Sequence, residues 1–244
     1  MHEAFSHITH RTAPLPDIPW IMAQTWSHVL FMHWPVNAVQ LQRFLPEELT
    51  VDTYKGTAWI GLVTFQVQET KFRSLLPLQF LRPFPQLNIR TYVQHKGIPA
   101  VYFFSLDVTH LPSILGARTL YGLPFRKADM SFSSQTAYFF QSSCVTKEKR
   151  EELDISYTPV SVGYIAEPGA FEHWTIERYA LFTKRLNKLF LSCIHHTPWK
   201  LQEAKADIQF NTAASFLPRS LFIKEPIAHF ADRKEAVFFP PQKA

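Results

Sequence analysis

The run Leu87-Asn88-Ile89-Arg90-Thr91-Tyr92-Val93, the turn Lys96-Gly97 and the apolar return over residues 100–108 decide the fold. β-Branched and aromatic residues alternate with polar ones, and a short glycine-containing break joins the two halves, which is the pattern of a β-hairpin. Alternation places Gln86, Asn88, Arg90 and Tyr92 on one side of the first strand and Leu87, Ile89, Thr91 and Val93 on the other. Upstream, Trp59, Gly61, Val63, Phe65 and Val67 alternate with Thr64, Gln66 and Gln68 in a second clear strand. Residues 24–35 form another, closed by Pro35. A short helix follows, capped by Asn37 and stopped by Pro46. Downstream, strands are expected near 128–134, 137–145, 160–165, 178–182 and 189–195, with a helix over 113–120. Residues 1–19 hold three histidines and three prolines and are expected as an N-terminal arm, with residues 20–244 forming a single domain. Closely spaced strands and sparse helical periodicity give an α+β, β-dominated fold: an antiparallel barrel or strongly curved sheet with a few short helices.

The composition supports a packed interior. Of 244 residues, 46% are hydrophobic, with 22 Phe, 6 Trp and 8 Tyr, and only 18% are charged. Seven glycines against 18 prolines leave little material for phosphate-cradling loops, and neither G-x-G-x-x-G nor a P-loop is present, so no cofactor is expected. The net charge is +5. The densest charge run, Lys147 to Glu152, mixes signs and reads as a solvated loop, which argues against nucleic acid as a partner. Cys144 and Cys193 form no C-x-x-C motif; buried free thiols in a reducing compartment and a single disulfide are both open, the former favoured. The N-terminal residues lack a signal-peptide pattern, and no apolar run is long enough for a bilayer, so the expected location is cytoplasmic, with no membrane partner.

Several motifs occur in a recognisable order: Gln24-Thr25-Trp26, His33-Trp34-Pro35-Val36, residues 87–93, Phe103-Phe104-Ser105-Leu106-Asp107, Ala117-Arg118, Leu123-Pro124-Phe125, and His196-Thr197-Pro198-Trp199. Over residues 20–240 the chain resembles the YqjF-like family of bacterial proteins, itself related to acetoacetate decarboxylase. The resemblance implies a decarboxylase-like fold. The enzyme carries G-R-E-x-x-G-x-P-K-K, whose first lysine forms a Schiff base with the substrate ketone. Here the matching segment is Ala117-Arg118-Thr119-Leu120-Tyr121-Gly122-Leu123-Pro124-Phe125-Arg126-Lys127. The enzyme's glutamate is Thr119, its reactive lysine is Phe125 and its helper lysine is Arg126. Gln86 stands where the enzyme has a pocket glutamate.

These departures bear on the chemistry. A Schiff-base lysine must lose its proton at working pH, through desolvation and a cationic neighbour. Phe125 has no amine, and the guanidinium of Arg126 stays protonated. Lys127, one pleat beyond Phe125 on the same strand face, is the remaining candidate amine; the alternative is an ordinary surface lysine. Arg90, Arg118 and Arg126, with Gln86, Asn88 and Tyr92, are the expected ligand-binding set, since guanidinium groups bind carboxylates in a bidentate way. The competing views pair Arg90 with Asp107 across the hairpin and give Arg118 to backbone carbonyls. Eleven histidines offer no metal-ligand spacing: His195 and His196 face opposite ways on a strand, and His2, His7 and His10 fall in a segment expected to be mobile. No G-x-S-x-G is present. The leading expectation is binding of a small, partly apolar anionic molecule inside a barrel. Its rivals are an enzyme acting on a keto acid or related carbonyl compound through Lys127, and a structural or regulatory interaction protein. A homo-oligomer is left open, since no interface can be derived from the sequence.

Overall fold

Lys96 and Gly97 both take positive φ, 50° and 78°, the backbone that a two-residue hairpin requires. They join β4 (Phe84–His95) to β5 (Ile98–Val108), as the alternation dictates. This computed structural model describes residues 3–73, 82–109, 122–147 and 149–244. Before the hairpin lie β1 (Met22–Val36), α1 (Ala38–Gln42), β2 (Thr50–Val51) and β3 (Ala58–Phe72). The side chain of Asn37 accepts from the Gln40 amide at 3.0 Å and so caps α1. After it come β6 (Phe125–Lys127), β7 (Asp129–Ser134), β8 (Tyr138–Val145), β9 (Arg150–Pro159) and β10 (Tyr164–Ile165). The chain ends with α2 (Phe171–Ile176), β11 (Ala180–Arg185), β12 (Lys188–His195), β13 (Lys200–Asn211), β14 (Ile227–Phe238) and β15 (Gln242–Lys243).

Seven strands close into a barrel. Their order is β12-β11-β5-β4-β3-β1-β14, and β14 returns to β12 through the pairs Ile194–Phe238 and His195–Val237. Antiparallel pairing prevails, but β6 and β11 each join β5 in parallel. Beyond β14 the sheet continues through β13, β9, β8 and β7, which fold over the outside of the barrel. A large apolar core fills the space between, with Leu30, Met32, Trp34, Ile60, Leu62, Leu87 and Ile89 against Phe140, Leu153, Ile155 and Tyr157. The barrel interior is the opposite face of the same strands. It holds Phe31, Val63, Phe65, Leu106, Phe125 and Trp199 at one end, and Tyr92, Val101 and Leu181 at the other. Strands buried on both faces explain why β1 and β3 read as continuous apolar runs over part of their length.

Three expectations need correction. Residues 147–152 are not a solvated loop throughout: β9 begins at Arg150, and Glu151 is buried because Arg126 needs its carboxylate. Residues 160–165 pair only at Tyr164 and Ile165. His10 is not in a loose segment; its Nε2 bonds the His196 carbonyl at 2.9 Å and its ring packs on Tyr179. The helix expected over 113–120, and Arg118 with it, lie outside the described residues.

Arg126 ties the outer strands to the barrel. It holds Asp107 of β5 through two bonds, at 2.6 and 2.8 Å, and Glu151 of β9 at 2.5 Å. Burial pushes the Asp107 carboxyl up, with Arg126 opposing, so removal of the guanidinium would strip Asp107 of its charged partner and leave Glu151 to Lys149, at 3.8 Å, and the Ser215 hydroxyl. Arg126→Met is expected to lower unfolding free energy by about 3–5 kcal/mol in urea denaturation. A loss below about 1 kcal/mol would show that the triad is not a structural tie.

Candidate functional site

Pairing across four strands gathers one cluster of polar side chains on the inward face of the barrel, the chamber. Phe31 and His33 of β1 lie opposite Val63 and Gly61 of β3, which in turn lie opposite Asn88 and Arg90 of β4. Arg90 and Tyr92 face Phe103 and Val101 of β5. Gly61 is the enabling residue: a Cβ there would sit 3.3 Å from Arg90 Cγ and 3.4 Å from the His33 ring, so its absence lets both side chains cross over β3.

The helix α2 covers this end of the barrel. Phe171 packs on Trp59 at 4.4 Å, and Trp174 packs on Tyr92 at 4.7 Å. Arg90 donates from Nη2 to the Thr175 carbonyl at 3.2 Å, and Arg178 donates from Nε to the Trp174 carbonyl at 2.6 Å. Glu172 of the helix meets His229 of β14 at 3.4 Å. Tyr92 and His33, both fully buried, share a hydrogen bond of 2.6 Å. The partly buried side chains of Trp59, Phe103, Leu123 and Trp174 form the apolar margin.

Charge in the chamber does not balance. Arg178 is paired with Asp52 at 2.8 Å. Arg90 has no carboxylate partner among the described residues. Its guanidinium donates to one helix carbonyl, interacts with the Tyr92 hydroxyl and lies 5.6 and 5.7 Å from the ring centres of Phe31 and Tyr92, while Nε is buried without a hydrogen-bond partner among the described residues. Arg90 is half-buried, with rings on two sides and no carboxylate among the described residues, and an incoming anion would supply the charge partner. His33 does not supply a counter-charge. Burial, then the neighbouring Arg90 and His229, hold its pKa well below the ordinary imidazole value.

The candidate residues of the sequence therefore separate. Gln86, Asn88, Arg90 and Tyr92 do share the inward face, with Gln86 Nε2 donating to Asn88 Oδ1 at 2.7 Å. Arg90 is not paired with Asp107. A bulge between Ile89 and Arg90 sets Arg90 opposite Phe103, while Asp107 lies opposite Leu87 on the outer face, where Arg126 takes it. Phe125 fills the interior beside Leu106. Lys127 is exposed. Sequence reasoning missed His33, Asp52, α2, Arg178 and His229. The one signal for the chamber was Gly61, an isolated glycine inside an alternating strand, which marks close approach of neighbours. Two surface concavities, of about 360 Å³ beside Asn37 and Lys224 and about 570 Å³ over Ser131 and Asp154, are lined by none of the chamber residues.

The fold of this barrel is of the acetoacetate decarboxylase-like type. It superimposes with a TM-score of 0.63 on an acetoacetate decarboxylase-like enzyme from Sphingomonas wittichii RW1, at 13% identity over 97% of this chain and 98% of the other. It also superimposes with a TM-score of 0.61 on the enduracididine biosynthesis enzyme MppR complexed with pyruvate, at 12% identity over 93% and 91% of the two chains. The chain belongs to the DUF2071 family of uncharacterised conserved proteins, whose pattern matches residues 23–235. It is 40% identical to the uncharacterised protein YqjF of Bacillus subtilis (strain 168) over 229 residues, 94% of this chain and 95% of that one.

The buried histidine gives a pH test. Below about pH 6.5 the unfolded chain takes up a proton at residue 33 that the folded state refuses. The contribution of His33 to stability is thus complete above that pH and is lost as pH falls. Urea unfolding at pH 7.5 and 5.5 should show that His33→Gln loses less stability on acidification than wild type, by up to about 1.4 kcal/mol. Equal losses would mean that the His33 ring accepts a proton in place.

Proposed function

We propose that the protein binds a small, partly apolar anion in the barrel interior, with the anionic group on Arg90 and the apolar part against Phe31, Phe103 and Leu123. The carrying observation is the uncompensated guanidinium of Arg90, with its buried Nε lacking a partner among the described residues. The donor-rich lining supports an acceptor: guanidinium groups only donate, and the indole N–H of Trp59 is also buried without a partner among the described residues. A carboxylate satisfies a guanidinium edge through two parallel bonds. The MppR complex with pyruvate makes short carboxylates a reasonable first set of probes for a chain of this fold. The two buried free cysteines and the absence, among the described residues, of a helix long and apolar enough to cross a membrane fit a cytoplasmic setting for such a binder.

Isothermal titration with pyruvate, benzoate and phenylacetate is expected to return at least one binder, and Arg90→Gln should weaken it about 10–100-fold. Retained affinity in a variant that merely melts earlier would make Arg90 scaffold and sink the proposal.

Imine chemistry on a keto acid finds no support at Lys127, whose side chain is exposed rather than desolvated. Incubation with pyruvate or acetoacetate and borohydride is expected to leave the intact mass unchanged. A reduced adduct at Lys127, absent in Lys127→Ala, would establish the enzyme reading instead.

A further inference from the structure

We propose that residues 4–13 form a strap released by protonation of His195, and that its release loosens the Arg178 side of the anion chamber; the second half rests on the function proposed above. The strap lies against the outer end of β12. Arg11 donates from Nη1 to the Ile194 carbonyl at 2.8 Å and to His195 Nδ1 at 3.0 Å, and its guanidinium lies 4.7 Å from the centre of the Tyr179 ring. Phe5 stacks on the His195 ring at 5.2 Å, and Ala4 is buried beside Cys193 and Phe239.

Hydrogen-bond roles fix the protonation state. A guanidinium can only donate, so His195 Nδ1 must accept. The ring proton therefore sits on Nε2, which donates to the Ala4 carbonyl at 2.7 Å. Neutral His195 thus holds the strap at two points, one with each nitrogen. A second proton, on Nδ1, would set N–H against N–H and cation against cation at the Arg11 contact. The strap has to leave for the ring to charge.

Among the described residues, the His195 ring meets a cation, a backbone carbonyl and other rings. From the strap come Arg11 and His10, the latter with ring centres 5.7 Å apart. From the segment before β11 come Tyr179, at 6.3 Å, and Glu177. The Glu177 carboxylate is already engaged, accepting from the Tyr179 hydroxyl and from the Trp199 amide at 2.8 Å. The strand of His195 itself adds Cys193, and His196 follows directly. From β14, Lys234 reaches this corner through Thr197 and the Pro198 carbonyl, with Glu235 also on that strand. Burial also pushes His196 well below the ordinary imidazole range, so the neighbouring ring adds no charge of its own.

The strap touches the chamber through its grip on the chain. Thr12 Oγ1 donates to the Glu177 carbonyl at 3.1 Å, and Arg11 covers Tyr179. Between those two residues stands Arg178, whose side chain holds Asp52 and the last turns of α2. Freed of the strap, the segment 177–179 loses both of these outer anchors.

Above about pH 6.5 a released imidazole is neutral too, so closure does not depend on pH; below it, opening should rise about tenfold per pH unit. Hydrogen–deuterium exchange of residues 4–13, corrected for intrinsic rates, is measured from pH 8 to 5 on the full chain. Wild type is expected to lose protection along that slope. His195→Gln keeps a donor and an acceptor without a titrating group, and should stay protected throughout. Arg11→Met should be unprotected at every pH. Wild-type protection that is flat with pH, or His195→Gln opening at the wild-type midpoint, overturns the strap. Pyruvate titration in parallel reads the coupling: affinity should fall with acid in wild type and hold in His195→Gln. Strap opening without any change in pyruvate affinity refutes the coupling, whereas failure of pyruvate and the other carboxylates to bind at any pH refutes the proposed function and removes the coupling with it.

Discussion

Closure of the barrel depends on two residue pairs, Ile194 with Phe238 and His195 with Val237. Strand β12 reaches them only because β11 first joins β5 in parallel, which brings the late part of the chain back to the early hairpin. Without that seam the inward faces of β1, β3 and β4 would open to water. Closure sets the state of Arg90: on an open sheet its guanidinium would be hydrated on all sides, whereas here it is half-buried against Phe31 and Tyr92, with Nε shielded from water.

The two arginines of the outer tie and the chamber show how position decides role. Arg126 and Arg90 were equivalent candidates on residue type. Arg126 meets two carboxylates on the outer face and is fully engaged, whereas Arg90 meets rings and a helix carbonyl. The helix α2 covers the chamber at the cost of using backbone carbonyls as substitutes for an anion. Thr175 therefore occupies part of the arginine edge that a carboxylate would claim.

Much of the barrel was legible before any coordinates. The β4–β5 hairpin, β1, β3, β8 and the capped α1 follow from period-2 alternation and turn chemistry, which are local. What failed was non-local. Strand β9 begins inside a charged run, and only the reach of Arg126 from β6 explains why Glu151 is buried there. Strands β13 and β14 were not read, and their places rest on distant partners: β14 pairs with β1 along its whole length, and β13 pairs with β9 from Ala204 to Asn211. Of the chamber, the inward set Gln86, Asn88, Arg90 and Tyr92 was readable from one strand. His33, Arg178 and His229 were not, since their convergence depends on closure. The exclusion of the parent imine chemistry at Phe125 needed only residue type, and the benzyl group does pack inside the barrel.

The account stands on an anion meeting Arg90 inside the barrel, and the most direct observation is where such an anion sits. Anomalous diffraction from crystals grown with 3-bromobenzoate should place the bromine among Phe31, Phe103 and Leu123, with the carboxylate on the Arg90 guanidinium. Bromine found only in the concavities beside Asn37 or over Ser131, with Arg90 still on the Thr175 carbonyl, would contradict it.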